Sequence, residues 1–302
     1  MDTPNPLPSK SLEFLADFSL LSVAVIWGST FIVVKQAVEQ VPVFSFLFMR
    51  FLLAGLLLGL VLVPRLKRLN RQVLRDGLVL GTFLFLGFAT QTLGLTRTPA
   101  TTTAFITSLY VVFVPVLSSL ILKKKTRLEA VAGVVLSTVG LALITLRGKL
   151  TLSRGEFLVL LCAFIYGIHI ILIDRYSRRS DPALLTLVQV SVVAIFSLAC
   201  SLLADPQTVP ERFEPRLIAA LVVTGVFATV IAFGIQTGMQ KYTTPTKAAI
   251  LFTLEPVSAA FFSYFLGGEL LRTRQYVGAG LILLAVVVTE TGSWRQAMKT
   301  DP

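Results

Sequence analysis

An acid inside a long apolar run demands a partner. Glu255 lies well within the stretch 246–266 and is followed directly by Pro256. Ionisable groups are costly in a hydrocarbon setting, so such a residue faces a cavity or another polar group. Proline removes one backbone donor and crowds the preceding turn, which loosens or kinks a helix there. A carboxyl at that break could hold a cationic group or a proton, or latch two helices by a hydrogen bond. His169 is the one histidine and follows Tyr166 by three residues and Cys162 by seven, which puts all three on one helical face. It could line a pathway and relay protons, or bond a neighbouring helix. Arg50, close to the start of its apolar run, could attract a carboxylate or extend its head toward water. Gln189 occupies a similar place in a later run. Trp27, Ser29 and Thr30 surround Gly28, where a missing side chain permits close approach and the indole supplies a flat wall with one donor. Thr103, Thr107 and Tyr110 share a face at spacings of four and three. Gln91, Thr92 and Gln236 belong to the same class of polar groups in apolar surroundings. In each case the competing reading is packing or an interhelical bond.

Several chemistries find no support in these residues. One histidine with no carboxylate cluster does not make a metal site. There is no GxxxxGK[ST] loop to hold nucleotide phosphates. Neither metal nor cofactor is expected, and no catalytic residue stands out. The two cysteines, Cys162 and Cys200, lie in apolar runs and read as packing.

The elements that carry these residues are written in the composition. Of 302 residues 55% are hydrophobic and only 14% charged, against about a quarter charged in soluble domains. A bilayer resolves the excess of apolar side chain. Runs approaching the roughly 20 residues needed to cross hydrocarbon lie at about 18–38, 44–63, 77–96, 101–122, 130–146, 156–175, 184–204, 217–239, 246–266 and 276–291. They are continuous rather than alternating, which predicts helices and not barrel strands. The expected fold is therefore an all-α membrane protein with ten transmembrane helices. The net charge of +11 is not that of a nucleic-acid groove, because the basic residues form short clusters between runs. Arg65, Lys67, Arg68, Arg71 and Arg75 make one cluster, and Lys123, Lys124, Lys125 and Arg127 another. Their side of the membrane is the N-terminal one, so the positive-inside rule predicts both termini in the cytoplasm. Lys35, close to the end of its run, is expected to snorkel toward the interface.

The runs also repeat. Trp27-Gly28 aligns with Tyr166-Gly167 at an offset of 139, which sets Arg50 on Gln189; Gly81 and Gly94 meet Gly225 and Gly238 at 144, and Gly133 meets Gly278 at 145. Five runs per copy is an odd number, so the second copy enters from the opposite side and the halves form an inverted repeat. The expected domains are an N-terminal tail at 1–17, a first five-helix unit at 18–149, a second at 150–292 and a C-terminal tail at 293–302. Gly55-xxx-Gly59, Gly77-xxx-Gly81 and Gly234-xxx-Gly238 predict close helix packing.

These residues resemble the EamA family of the drug/metabolite transporter superfamily, over essentially the whole chain. The resemblance rests on Trp27-Gly28-Ser29-Thr30-Phe31, on Arg50-Phe51, on Leu254-Glu255-Pro256-Val257, on Leu266-Gly267-Gly268-Glu269 and on Gln275-Tyr276-Val277-Gly278. The first half departs from the pattern: Val114 replaces the acid before Pro115, and Lys124 stands where many members carry Glu. The resemblance implies a secondary carrier or facilitator in a cell (inner) membrane, exporting amino acids or related small metabolites and not acting as an enzyme. Rocking of two halves about a midplane cavity is the expected mechanism. The partners are then a small-molecule substrate and the lipid bilayer, without nucleic acid, and oligomeric state is not specified. Two other classes stand beside it. An enzyme on lipid-linked substrates needs clustered acids or histidines, and a scaffold or sensor needs long loops or an added domain.

Overall fold

The computed structural model describes residues 10–122, 128–145, 153–205, 207–268 and 272–299. All elements among them are helical. In chain order they are α1 (Lys10–Ala37), α2 (Val43–Val61), a 3-10 turn (Val63–Arg68), α3 (Arg71–Leu95), α4 (Ala100–Thr107), α5 (Tyr110–Leu122), α6 (Leu128–Thr145), α7 (Arg154–Ser177) and α8 (Pro182–Ala204). Next come α9 (Pro215–Val222), a π-helical segment (Val223–Ile231), α10 (Ala232–Met239), a 3-10 turn (Gln240–Tyr242), α11 (Pro245–Phe252), α12 (Leu254–Gly267) and α13 (Thr273–Lys299).

Eight helical stretches are long and apolar enough to cross a membrane, and two shorter apolar stretches, Ala130–Gly140 and Tyr276–Val288, fall in α6 and α13. The latter coincide with the fifth and tenth expected runs. Large apolar side chains such as Leu60, Leu120, Leu203 and Phe265 stand exposed, as lipid-facing positions must. Local chemistry sets the helix starts. Asn70 accepts from Val73 N–H at 2.9 Å, Ser153 and Glu156 close a capping box, and Asp181 and Thr244 cap helices that open with Pro182 and Pro245. Gly268, at φ +64°, ends α12 in the left-handed conformation that glycine adopts without strain.

Some boundaries differ from expectation. α1 begins at Lys10, so residues 10–17 are helix rather than tail. Acids suit the first turns of a helix, and Glu13 and Asp17 both pair with Lys247 of α11, at 3.1 and 2.6 Å. α13 continues to Lys299, past the expected boundary at 292, with no proline before Pro302 to stop it. Two expected helices are broken: one between α4 and α5 at Ser108–Leu109, the other between α11 and α12 at Thr253. Both breaks tighten to i−3 hydrogen bonds, Leu109 N–H to Ile106 O at 3.1 Å and Thr253 N–H to Ile250 O at 3.0 Å. Pro256 cannot supply the N–H that the Phe252 carbonyl would otherwise take. The basic cluster Lys123, Lys124, Lys125 and Arg127, and Glu269 of the family motif, lie outside the described residues.

α3 packs along α7 and α8, α2 along α8, α1 along α12, and α6 along α13. The Gly77-xxx-Gly81 pair is such a seam: a Cβ at either would collide with Val188 or Val192 of α8. Gly59, Gly234 and Gly238 have open space around them, so those two spacings do not both mark tight seams. Lys35 does not reach for solvent; its Nζ donates to Thr98 O at 2.8 Å.

Candidate functional site

Where the two broken helices approach α1, α2, α3, α7 and α10, they enclose a cavity of about 60 Å³. That space has room for a handful of water molecules. Glycine builds two of its walls. Gly28 lets α1 lie directly on α12, where any Cβ would strike Glu255 O and Ser258. Gly87 of α3 gives room to the Tyr166 ring of α7 in the same way. The lining is mostly aromatic. Trp27 stands 5.1 Å from Phe233 and 5.3 Å from Phe252, and Phe88 stands 5.8 Å from Tyr166 and 6.0 Å from Phe233, between ring centroids.

Two ionisable side chains of opposite sign share this cavity. Glu255, in the first turn of α12, is 5% exposed and accepts from the Tyr110 hydroxyl at 3.1 Å. Tyr110 opens α5, so this bond joins the two helices just past their breaks. Arg50 of α2 is 3% exposed; its Nε donates to Thr229 Oγ1 at 3.0 Å, and its guanidinium carbon sits 4.7 Å from the Phe88 ring centre and 5.2 Å from that of Phe51. Among the described residues neither Arg50 nor Glu255 has an oppositely charged side chain within 4.0 Å. The terminal nitrogens of Arg50 and Oε1 of Glu255 bond to no other described group. A cation and an acid, both removed from bulk water and each with hydrogen-bonding capacity in reserve, thus line one space.

Of the polar residues singled out by sequence, and Trp27 with them, Trp27, Thr30, Arg50, Gln91, Thr92, Tyr110, His169, Gln236 and Glu255 line the cavity. Ser29, Thr103, Thr107 and Gln189 stand outside the lining. Ser29 Oγ donates to Ile26 O of its own helix at 2.7 Å. Thr107 Oγ1 accepts from Gln91 Nε2 at 3.2 Å, and so steers a lining side chain from behind. Gln189 joins His169 Nε2 at 3.0 Å to Thr237 Oγ1 at 3.2 Å, tying α7, α8 and α10 together. Sequence reasoning did not single out Phe88, Phe233 and Phe252, because an aromatic residue in an apolar run carries no sign of which face it lies on. It also missed Thr229, one threonine among many. Among the described residues no group of three His, Cys, Asp or Glu side chains could hold a metal ion.

The sequence model of the EamA-like transporter family matches residues 14–146 and, a second time, residues 153–291. The chain belongs to the EamA-like transporter family. An uncharacterized transporter of Archaeoglobus fulgidus is 38% identical over 273 residues, covering 90% of this chain and 85% of that protein. A protein of Salmonella typhimurium named a probable amino-acid metabolite efflux pump is 25% identical over 287 residues, covering 91% and 94%. An uncharacterized inner membrane transporter of Escherichia coli K12 is 24% identical over 280 residues, covering 91% and 90%. One solved crystal structure has the same fold, with a TM-score of 0.76 at 18% identity over 95% of this chain and 99% of that one. This member of the EamA-like family is a multi-pass membrane transporter, and the aromatic cavity is its candidate substrate site.

Proposed function

We propose that this transporter is a secondary carrier of zwitterionic small metabolites, amino acids or close relatives, which it exports from the cytoplasm by alternating access. The observation that carries the reading is that Arg50 and Glu255 line one apolar cavity, each lacking a charged protein partner among the described residues. A guest with an ammonium and a carboxylate offers each of them a counter-charge. A guest with one charge leaves the other uncompensated, a costly state inside a membrane. The aromatic walls accept an apolar side chain. The amino-acid metabolite efflux named for the Salmonella relative agrees with this class.

Alternating access takes the units 18–149 and 150–292 as inverted five-helix halves, inserted with both termini in the cytoplasm of an inner membrane. Three observations support that division. The family model matches twice in tandem. The two helix breaks recur 145 residues apart, at Ser108 and Thr253. Exchanging the halves also maps the packing scheme onto itself: α3 on α7 answers α1 on α10, and α1 on α12 answers α7 on α4 and α5. Interrupted helices at matching places in two repeats mark the binding site in other transporter folds.

The test is counterflow in proteoliposomes loaded in turn with each of the common amino acids. At least one neutral amino acid exchanges, and Arg50→Gln and Glu255→Gln each slow that exchange about tenfold or more. No exchange across the whole panel would overturn the reading. So would an amine or a carboxylic acid carried as well as the matching amino acid.

A further inference from the structure

The helix that runs from Pro215 to Tyr242 is π-helical at its middle, over Val223–Ile231, whereas its repeat counterpart α3 is α-helical from Arg71 to Leu95. A widened turn of this kind is rare and concentrates at functional sites. Here it touches two side chains of the candidate substrate cavity. The carbonyl of Ala228 accepts from Trp27 Nε1 at 3.0 Å, and Oγ1 of the next residue, Thr229, accepts from Arg50 Nε at 3.0 Å. Trp27 and Arg50 stand on different helices, α1 and α2. The segment comes this close to α2 because residue 225 is glycine: a Cβ there would lie 3.0 Å from Leu53 Cδ2 and 3.4 Å from Arg50 O.

The direction of the Thr229 bond is fixed. Its hydroxyl proton goes to Thr224 O at 2.8 Å, five residues back, which is the spacing of a π turn. What remains toward Arg50 is a lone pair, suited to a guanidinium and to nothing that accepts. The bond occupies Nε and leaves both terminal nitrogens of Arg50 as an open fork. The Phe88 and Phe51 rings flank the group, and the bond to Thr229 restrains its rotation. Were the segment to relax to α-helical spacing, each residue after its start would turn further about the helix axis, carrying the Ala228 carbonyl and Thr229 off their partners.

We infer that Thr229 is a positioning residue for carboxylate recognition, and that the π-helical segment exists to aim the Arg50 fork into the cavity. This rests on the reading of Arg50 as the carboxylate-binding group, so the test separates the two. Purified protein with Trp294 replaced by Phe keeps Trp27 as its one tryptophan, and quenching of that residue reports occupancy without need of transport. The probes are leucine, isocaproate, which lacks the ammonium, and isoamylamine, which lacks the carboxylate. Thr229→Val weakens leucine and isocaproate about tenfold and leaves isoamylamine unchanged, and Thr229→Ser restores the original order. Arg50→Gln gives the same selective loss, only larger. If Thr229→Val weakens all three alike, or none, while Arg50→Gln acts selectively, the positioning role is overturned and the carboxylate reading stands. If Arg50→Gln spares both carboxylates, the reading of Arg50 fails and the inference with it. Absence of quenching by all three probes overturns both.

Discussion

Charge and shape divide the work at Arg50. In the proposed site its charge attracts the guest's carboxylate, while its flat guanidinium, 4.7 Å from the Phe88 ring centre, offers two parallel donors. Arg50→Lys keeps the charge and loses the fork, so it is expected to recover little of what Arg50→Gln removes. A loss of about 2 kcal/mol in binding of a carboxylate-bearing guest is the expected scale for a buried charged contact, and competition assays on the two variants measure it directly. Glu255 plays the complementary part. It keeps a single protein hydrogen bond, from Tyr110, so protonation competes with a cationic group for the same oxygens. Glu255→Gln, fixed in the neutral form, is therefore expected to flatten the dependence of exchange on pH, and initial rates across a pH series test that. Both residues were legible in the sequence because an ionisable group in an apolar run is conspicuous. Their aromatic surroundings were not, since Phe88 and Phe233 look in sequence like any lipid-facing phenylalanine.

At the level of helices, glycine decides which elements touch. Gly28 brings the α1 backbone against α12 at Glu255, and no side chain fits between them. Gly28→Ala must push α12 away, taking Glu255 with it. The expected cost is about 1–3 kcal/mol, as for other overpacked interiors, together with loss of exchange. Gly234 sits in α10 with nothing within 4 Å of the place its Cβ would fill. Gly234→Ala is expected to be neutral or to gain up to about 1 kcal/mol, since alanine holds a helix better than glycine. Thermal unfolding of the two variants in detergent separates these outcomes. Sequence spacing alone puts the glycines of α2, α3 and α10 in one class, because it records that a residue is small and not what lies opposite. Helix existence was readable from the apolar runs. The breaks at Ser108 and Thr253 were only hinted at by Pro115 and Pro256, because an interior proline signals distortion without saying where the hydrogen bonds will shift. The π segment was not read from the sequence, where 217–239 is one continuous apolar run.

Across the whole molecule, charge is placed unevenly between the two ends of the cavity. Beyond the N-terminal part of α1, Lys247 of α11 pairs with Asp17 and Glu13, and Arg179 near the end of α7 pairs with Asp76 of α3. By helical rise, Asp17 lies about 15 Å along α1 from Trp27. These pairs join one proposed half to the other. Asp17, Asp76 and Lys247 are all buried, so each bond is strong when made and costly when one partner is removed. The opposite end is held more lightly: Asp205 accepts from the Ser45 backbone and hydroxyl at 2.8 and 2.9 Å, with no basic side chain joined to it among the described residues. In the proposed cycle, rocking of the halves opens the ion-paired end at one stage. Lys247→Met leaves Asp17 buried without its cation, an expected loss of about 3 kcal/mol in stability. A charge exchange, Asp17→Lys with Lys247→Asp, should return part of it. The same exchange tells a structural pair from a gate. In a background with Cys162 and Cys200 replaced by Ala, a cysteine put at Thr30 reports access to the cavity. Lys247→Met is expected to speed its modification from the N-terminal side and slow it from the other, and the exchanged pair to reverse both changes. Faster modification from both sides together would mean a loosened fold rather than a gate. Lys247 could not have been placed here from sequence, where it reads as one more basic residue at a helix start. Its meaning comes from Asp17, which lies in the apolar-run boundary of a helix more than two hundred residues away.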